Sequence, residues 1–231
     1  MAINGDFSST DSRVHIFATK NAVFEATATA ITELIRTSLQ KNRVSNVIIA
    51  SGDSIISTLG FLSASATDWR KVNWYLADER CVADDDNRRN EKQITDTLRR
   101  SLGEKHGRVF SPSSRLSPAK AASEYASRIS AISMFDFCLL GMGNDGHVAS
   151  LLPNHSALNS SQLCCEIVDS PNPPAERITL TLNTFSRIRD RFLVTAGSSK
   201  SSAINDFIAN SQSPVRLYDP TTIFADQAAY S

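Results

Sequence analysis

The residues best suited to do chemistry are Asp145 and His147, two positions apart in the run Gly141-Met142-Gly143-Asn144-Asp145-Gly146-His147. A carboxylate beside an imidazole orients the ring and raises its affinity for a proton, which makes His147 a candidate general base. The three glycines let the backbone turn sharply and approach a ligand closely. Taken alone, the run also fits a structural turn with an exposed histidine. A second cluster, Asp78-Glu79-Arg80, follows the aromatic run Val72-Asn73-Trp74-Tyr75-Leu76-Ala77. Charges at the end of a buried strand are functional or ion-paired. Arg80 suits the stabilisation of negative charge growing on a carbonyl oxygen, and Asp78 could position Arg80 or a substrate hydroxyl. Ser51-Gly52-Asp53-Ser54 can cradle a phosphate at the start of a helix, or serve as a plain N-cap. Arg177 and Lys200 are further phosphate candidates, one as a fork and one as a point charge. Each fits an ordinary surface cation equally well.

These residues follow a repeated pattern: an apolar strand-like run, a small or charged loop, then a helix-like segment. Val47–Ala50 precedes Ser51–Ser54, Val72–Ala77 precedes Asp78–Arg80, Phe135–Leu140 precedes Gly141–His147, and Phe192–Ala196 precedes Gly197-Ser198-Ser199-Lys200. Helices are expected over Ala22–Gln40, Ser54–Ala64, Asn90–Leu102, Pro118–Ile132 and Lys200–Ile208. In the first, Val23, Ala26, Ala30, Leu34 and Ile35 fall at helical spacing and should face a sheet. Such alternation predicts a single-domain, Rossmann-like α/β fold, with a mostly parallel sheet covered by helices on both faces. All strand C-termini then open on one edge, and the four loops converge on one crevice there.

Composition narrows the function classes. The 24 basic and 24 acidic side chains cancel, so no global field attracts nucleic acid or an acidic membrane, and anion binding must be local. At 41% hydrophobic and 21% charged, the chain is an ordinary globular one rather than a disordered one. Residues 1–12 are polar and read as a flexible N-terminus rather than a targeting segment, and no run approaches the ~18 apolar residues of a membrane span. Cys81, Cys138, Cys164 and Cys165 form no C-x-x-C pair and read as reduced thiols of a cytoplasmic protein, without a metal or cofactor. Gly141–Gly146 also matches the dinucleotide fingerprint, with Glu166 and Asp169 near the expected offset. The helix that should follow is cut short by Pro153, so a dehydrogenase is the weaker reading. The expected partner is a small molecule, bound by a monomer or small homo-oligomer.

Together these segments resemble one family. Phe135 to Pro153 resembles the 6-phosphogluconolactonase signature D-x-x-L-L-G-M-G-x-D-G-H-x-A-S-L-F-P. Asp78-Glu79-Arg80-Cys81-Val82 with Asn90 resembles its D-E-R-x-V…S-N segment, Arg177–Leu182 its R-I-T-L-T run, and Lys200 its G-x-x-K element. The resemblance implies metal-free hydrolysis of 6-phosphoglucono-1,5-lactone in the oxidative pentose phosphate pathway. It implies His147 as the base, Asp145 holding its ring, and Arg80 and Asp78 lining the lactone site. Gly143 falls among the substrate-contacting positions, while Ser51, Gly52, Ser54, Arg177 and Lys200 hold the phosphate. Glucosamine-6-phosphate deaminases share the fold but place a glutamate five residues after the D-G-H histidine, where this chain has Leu152. A non-catalytic sugar-phosphate-binding module is the other alternative. Two departures stand out. The family's S-G-G-S-T-P loop reads Ser51-Gly52-Asp53-Ser54-Ile55-Ile56, which sets a carboxylate where phosphate should dock. The serine before Asn90 is Arg89, read either as a counter-charge to Asp53 or as a solvent-facing cation.

Overall fold

The computed structural model describes residues 11–209 and 212–230. The expectation for residues 1–12 therefore falls, apart from Asp11 and Ser12, outside the described residues. The buried runs become strands: β1 (Val14–Phe17), β2 (Ser45–Ile49), β3 (Val72–Leu76), β5 (Arg108–Phe110), β6 (Phe137–Leu140), β9 (Arg191–Thr195) and β10 (Thr222–Asp226). Among the described residues these form one sheet in the order β1-β10-β9-β6-β2-β3-β5, with every pairing parallel. β6 starts at Phe137, two residues later than expected. The preceding Asp136 instead ties down β2, its Oδ2 accepting from Ser45 Oγ at 2.6 Å and Asn46 N at 3.0 Å.

The helices flank this sheet as the alternating pattern requires. α1 (Lys20–Lys41) starts two residues early because Thr19 caps it, accepting from Ala22 N at 3.2 Å. Its buried stripe runs through Val23, Phe24, Thr27, Ala28, Ile31 and Ile35, while Ala26, Ala30 and Leu34 are only partly buried. The stripe is rotated from the expected one because Thr27 can be buried: its hydroxyl bonds Val23 O at 2.7 Å. α2 (Asp53–Gly60) stops short of Ala64, α3 (Asn90–Leu102) matches its expected bounds, and α4 (Pro118–Ser130) ends two residues early. α5 (Leu182–Phe185), α6 (Ser201–Ile208), α7 (Pro214–Tyr218) and α8 (Gln227–Tyr230) complete the described helices, and Lys200 belongs to a 3-10 turn before α6. None of the described helices is long and apolar enough to cross a membrane.

A second sheet, with the order β4-β8-β7, is the departure from the expected layout. It pairs β4 (Asp78–Arg80), β8 (Arg177–Leu180) and β7 (Cys164–Ile167) antiparallel. Asp78–Arg80 is thus a strand, not a loop. Ala77 joins the two sheets: its N–H donates to Ile49 O of β2 at 2.7 Å, and its carbonyl accepts Leu180 N–H of β8 at 2.7 Å. β8 lies between two strands, with α4 packed on β7 and β8, so all four of its residues are buried instead of alternating in and out. One continuous apolar core runs beneath both sheets.

The strand order sets the site. From β2 the chain moves outward to β3 and β5, and it then crosses to β6 on the opposite side of β2. The loops after β2 and β6 therefore diverge and leave a crevice at the strand C-termini, the place where open parallel sheets bind ligands.

Candidate active site

A cleft of about 780 Å³ opens at this edge. Its walls include His147, Asp145, Arg80, Asp78, Ser51, Gly52, Ser54, Gly143, Arg177 and Lys200, so the structure brings together all ten residues singled out from the sequence.

The Gly141–His147 loop turns back on itself. Gly143 N donates to His147 O at 2.9 Å, and Gly146 N donates to Gly143 O at 3.1 Å. This presses the His147 ring onto Asp145, with Nδ1 2.6 Å from Oδ1. Burial works to raise the Asp145 carboxyl, but the His147 charge and its hydrogen bonds outweigh it and hold the group below its ordinary value. An ionised carboxylate only accepts, so whenever the ring is neutral its one proton sits on Nδ1 and the lone pair on Nε2. The glycines differ in what they do. Gly146 has φ +79°, which side chains rarely adopt, whereas a Cβ on Gly143 would lie 2.1 Å from His147 Nδ1. Gly143 is required for space. No helix follows the loop: Val148 bridges Leu151 just before Pro153, so the dinucleotide fingerprint lacks the helix it needs.

The second sheet supplies the opposite wall. Asp78 and Arg80 on β4 stand in register with Thr179 and Arg177 on β8. Asp78 is buried and accepts from Ser150 Oγ at 2.7 Å. Arg80 Nη1 donates to Arg88 O at 2.8 Å. Arg177 is clamped by the proline-rich loop, with Nη2 2.7 Å from Asn172 O and Nε 3.1 Å from Pro174 O. Burial lowers its proton affinity, Asp78 raises it and Arg80 lowers it further.

Lys200 arrives from the loop after β9. Burial lowers its proton affinity, against the charges of Asp53 and Asp145, which raise it. Asp226 Oδ1 steadies that loop by accepting from Gly197 N at 2.8 Å. Gly52 carries no side-chain cap for α2, and Asp53, the first residue of that helix, is exposed on the cleft wall.

The structure corrects both readings of Arg89. Its side chain is 3% exposed and lies beside the carboxylates of Glu79, Asp84 and Glu91, at 3.9, 3.5 and 2.9 Å. It neither faces solvent nor lines the cleft with Asp53. The reason is its position just before α3, where Glu79 and Glu91 converge on the helix start.

Glu79 is legible in the sequence only as a member of the charged Asp78–Arg80 cluster, and Lys20 not at all. Glu79 Oε1 accepts from Arg80 N and Asn90 N at 2.7 Å each, and Oε2 accepts from Glu91 N at 2.8 Å. It binds β4 to the N-terminus of α3, the end of the helix dipole that favours a carboxylate. Lys20, first residue of α1, also lines the cleft, its Nζ so near Gly197 that a Cβ there would lie 2.8 Å away. Recognising the short strand β1 would have pointed to Lys20, because β1 delivers it to the same edge.

Burial pushes the Glu79 carboxyl up to about 7, opposed by its N–H donors and Arg89. The folded protein thus holds this proton more tightly than the unfolded chain does. The contribution of Glu79 to stability should be greatest below pH ~4.5 and decline as pH rises to ~7, by about 3 kcal/mol at most. Chemical unfolding of wild type and Glu79→Gln across this range checks it: their stability difference should shift against wild type as pH rises. A pH-independent difference would refute it.

The model of the family described as glucosamine-6-phosphate isomerases/6-phosphogluconolactonase matches residues 18–228. The chain belongs to this family. It is 30% identical over 213 residues to a 6-phosphogluconolactonase of Mycobacterium leprae, covering 83% of each chain. To a probable 6-phosphogluconolactonase of Arabidopsis thaliana it is 37% identical, over 68% of this chain and 66% of the relative. The crystal structure of a 6-phosphogluconolactonase from Thermotoga maritima superposes with a TM-score of 0.83 at 23% identity, covering 92% and 98% of the two chains. That likeness carries the fold. The residue five positions after His147 is Leu152, which is buried, apolar and not on the cleft wall, so the position where the deaminases are expected to carry a glutamate holds no carboxylic acid in this chain. Among the described residues, no group of three or more His, Cys, Asp or Glu side chains is placed to hold a metal ion.

Proposed function

We propose that this protein hydrolyses 6-phosphoglucono-1,5-lactone to 6-phosphogluconate, the lactone-opening step of the oxidative pentose phosphate pathway, in the cytoplasm. The observation that carries the reading is the 2.6 Å contact between His147 Nδ1 and Asp145 Oδ1 in a cleft that also holds Arg177 and Lys200. The names of the curated relatives support the same substrate.

Asp145 holds the Nδ1–H tautomer, so Nε2 takes a proton from water as its oxygen attacks the lactone carbonyl. Arg80 faces the negative charge that forms on the carbonyl oxygen. Collapse of the tetrahedral intermediate breaks the bond from C1 to the ring oxygen. His147 returns the proton to that leaving oxygen, giving the open-chain acid. A lactone is an activated ester, so general-base help of ~10²–10⁴ together with positioning is an adequate contribution. Asp78 positions a substrate hydroxyl or Arg80. Arg177, Lys200 and the Ser51–Ser54 loop hold the phosphate, with Lys200 offsetting Asp53.

Purified protein mixed with freshly made 6-phosphogluconolactone should release acid much faster than buffer does. Saturable binding without turnover would instead point to a non-catalytic sugar-phosphate module. Arg177→Ala tests the phosphate assignment: the apparent KM should rise by roughly 10- to 100-fold with kcat little changed, as expected for a lost charged contact. On gluconolactone without its phosphate, this variant and wild type should run alike. A pure kcat defect would contradict the assignment.

A further inference from the structure

Asn90 is the first residue of α3 and is 1% exposed, yet it lines the cleft. Its Nδ2 donates to Asp78 O at 3.0 Å. A backbone carbonyl only accepts, so this bond determines which way the amide is turned, and Oδ1 must face elsewhere. Oδ1 is buried and has no hydrogen-bond partner among the described residues. Arg80, also on the cleft wall, has a buried Nε in the same condition. The two residues are held next to each other, because their backbone N–H groups share Glu79 Oε1 at 2.7 Å each.

Buried polar atoms are ordinarily paired, and leaving one unpaired is costly. An unpaired acceptor such as Asn90 Oδ1 complements a group that donates a proton, and the N–H of Arg80 Nε complements one that accepts; a sugar hydroxyl can do either. A phosphate or carboxylate oxygen has no proton to offer and would be repelled at Oδ1. We infer that Asn90 is a specificity-determining residue of this site, its Oδ1 accepting a hydrogen bond from one secondary hydroxyl of the lactone ring. The inference rests on the reading of the cleft as a sugar-lactone site. It adds to that reading a residue that distinguishes substrates by their hydroxyls, apart from the phosphate cradle and the His147 base.

The test compares kcat/KM of wild type and Asn90→Ala on 6-phosphogluconolactone and on its 2-deoxy, 3-deoxy and 4-deoxy analogues. Wild type should lose about 10- to 100-fold on one of the three analogues relative to the parent, the range expected when a buried acceptor goes unpaired. Asn90→Ala should lose a similar factor on the parent lactone and run within about threefold of wild type on that one analogue. A residue serving only to hold α3 in place would depress all four substrates equally, and that result overturns the proposal. So does a wild type that discriminates against none of the analogues, a measurement that stands even where the alanine variant fails to fold. A wild type inert on the parent lactone overturns the lactonase reading itself, whereas uniform losses on active protein overturn only the role of Asn90.

Discussion

Replacing His147 with alanine is expected to lower kcat on 6-phosphogluconolactone by about 10²–10⁴ while leaving KM nearly unchanged. The imidazole is 27% exposed at its side chain and held by Asp145, so its loss removes a proton acceptor without opening the core. What remains is the cleft that orients the lactone. Asp145→Asn should fall in the same direction, because an amide can present its N–H₂ to Nδ1 and favour the wrong tautomer. Acid release followed in weakly buffered solution, against the uncatalysed background, measures both. A His147→Ala enzyme that keeps the wild-type kcat would end the general-base proposal and leave the cleft as a binding site.

Gly143→Ala should be almost as damaging, although it removes no functional group. The added Cβ would lie 2.1 Å from His147 Nδ1 and 2.7 Å from Asp145 Oδ1, far inside contact distance. The ring must move, and a displacement of about 1 Å at a catalytic group costs on the order of 10²-fold in rate. Gly143 does not have a positive φ, so the substitution strains space and not backbone. Gly141→Ala is the matched control: its Cβ would meet only Ile55 Cγ1 at 3.8 Å and Val194 O at 3.9 Å, ordinary contacts. The expected result is therefore a large fall in kcat for Gly143→Ala and a near-wild-type rate for Gly141→Ala, with similar melting temperatures for both. Equal rates in the two variants would show that the ring has room to move without loss.

That pair of glycines shows where sequence reading stops. In the chain they are two identical letters in a G-x-G, and the same argument about sharp turns covers both. Only the folded loop shows that one leaves room for an imidazole while the other leaves room for nothing in particular. Arg89 teaches the same point: beside Asn90 in sequence, it reads as a counter-charge to Asp53 or a solvent-facing cation, whereas it is buried against three carboxylates that meet only in the folded chain. β1, β5, β7 and β10 are not legible in the sequence because polar residues interrupt or bound their apolar residues: His15 in β1, Arg108 in β5, Glu166 in β7, and Thr222 and Asp226 in β10.

The residues by themselves determined the alternating strand–helix order, the parallel sheet, the ends of α3 and the candidates His147, Asp145, Arg80, Asp78, Arg177 and Lys200. All of these follow from local pattern, from short-range spacing or from motif resemblance. Tertiary structure alone decided the antiparallel sheet that presents Arg80 beside Arg177, the Glu79 carboxylate that joins β4 to α3, the arrival of Lys20 and the unpaired Oδ1 of Asn90. Each depends on pairing between segments far apart in the chain. Local sequence sets the propensity of a segment, but which distant segment satisfies its hydrogen bonds and buries its charge is decided when the chain packs.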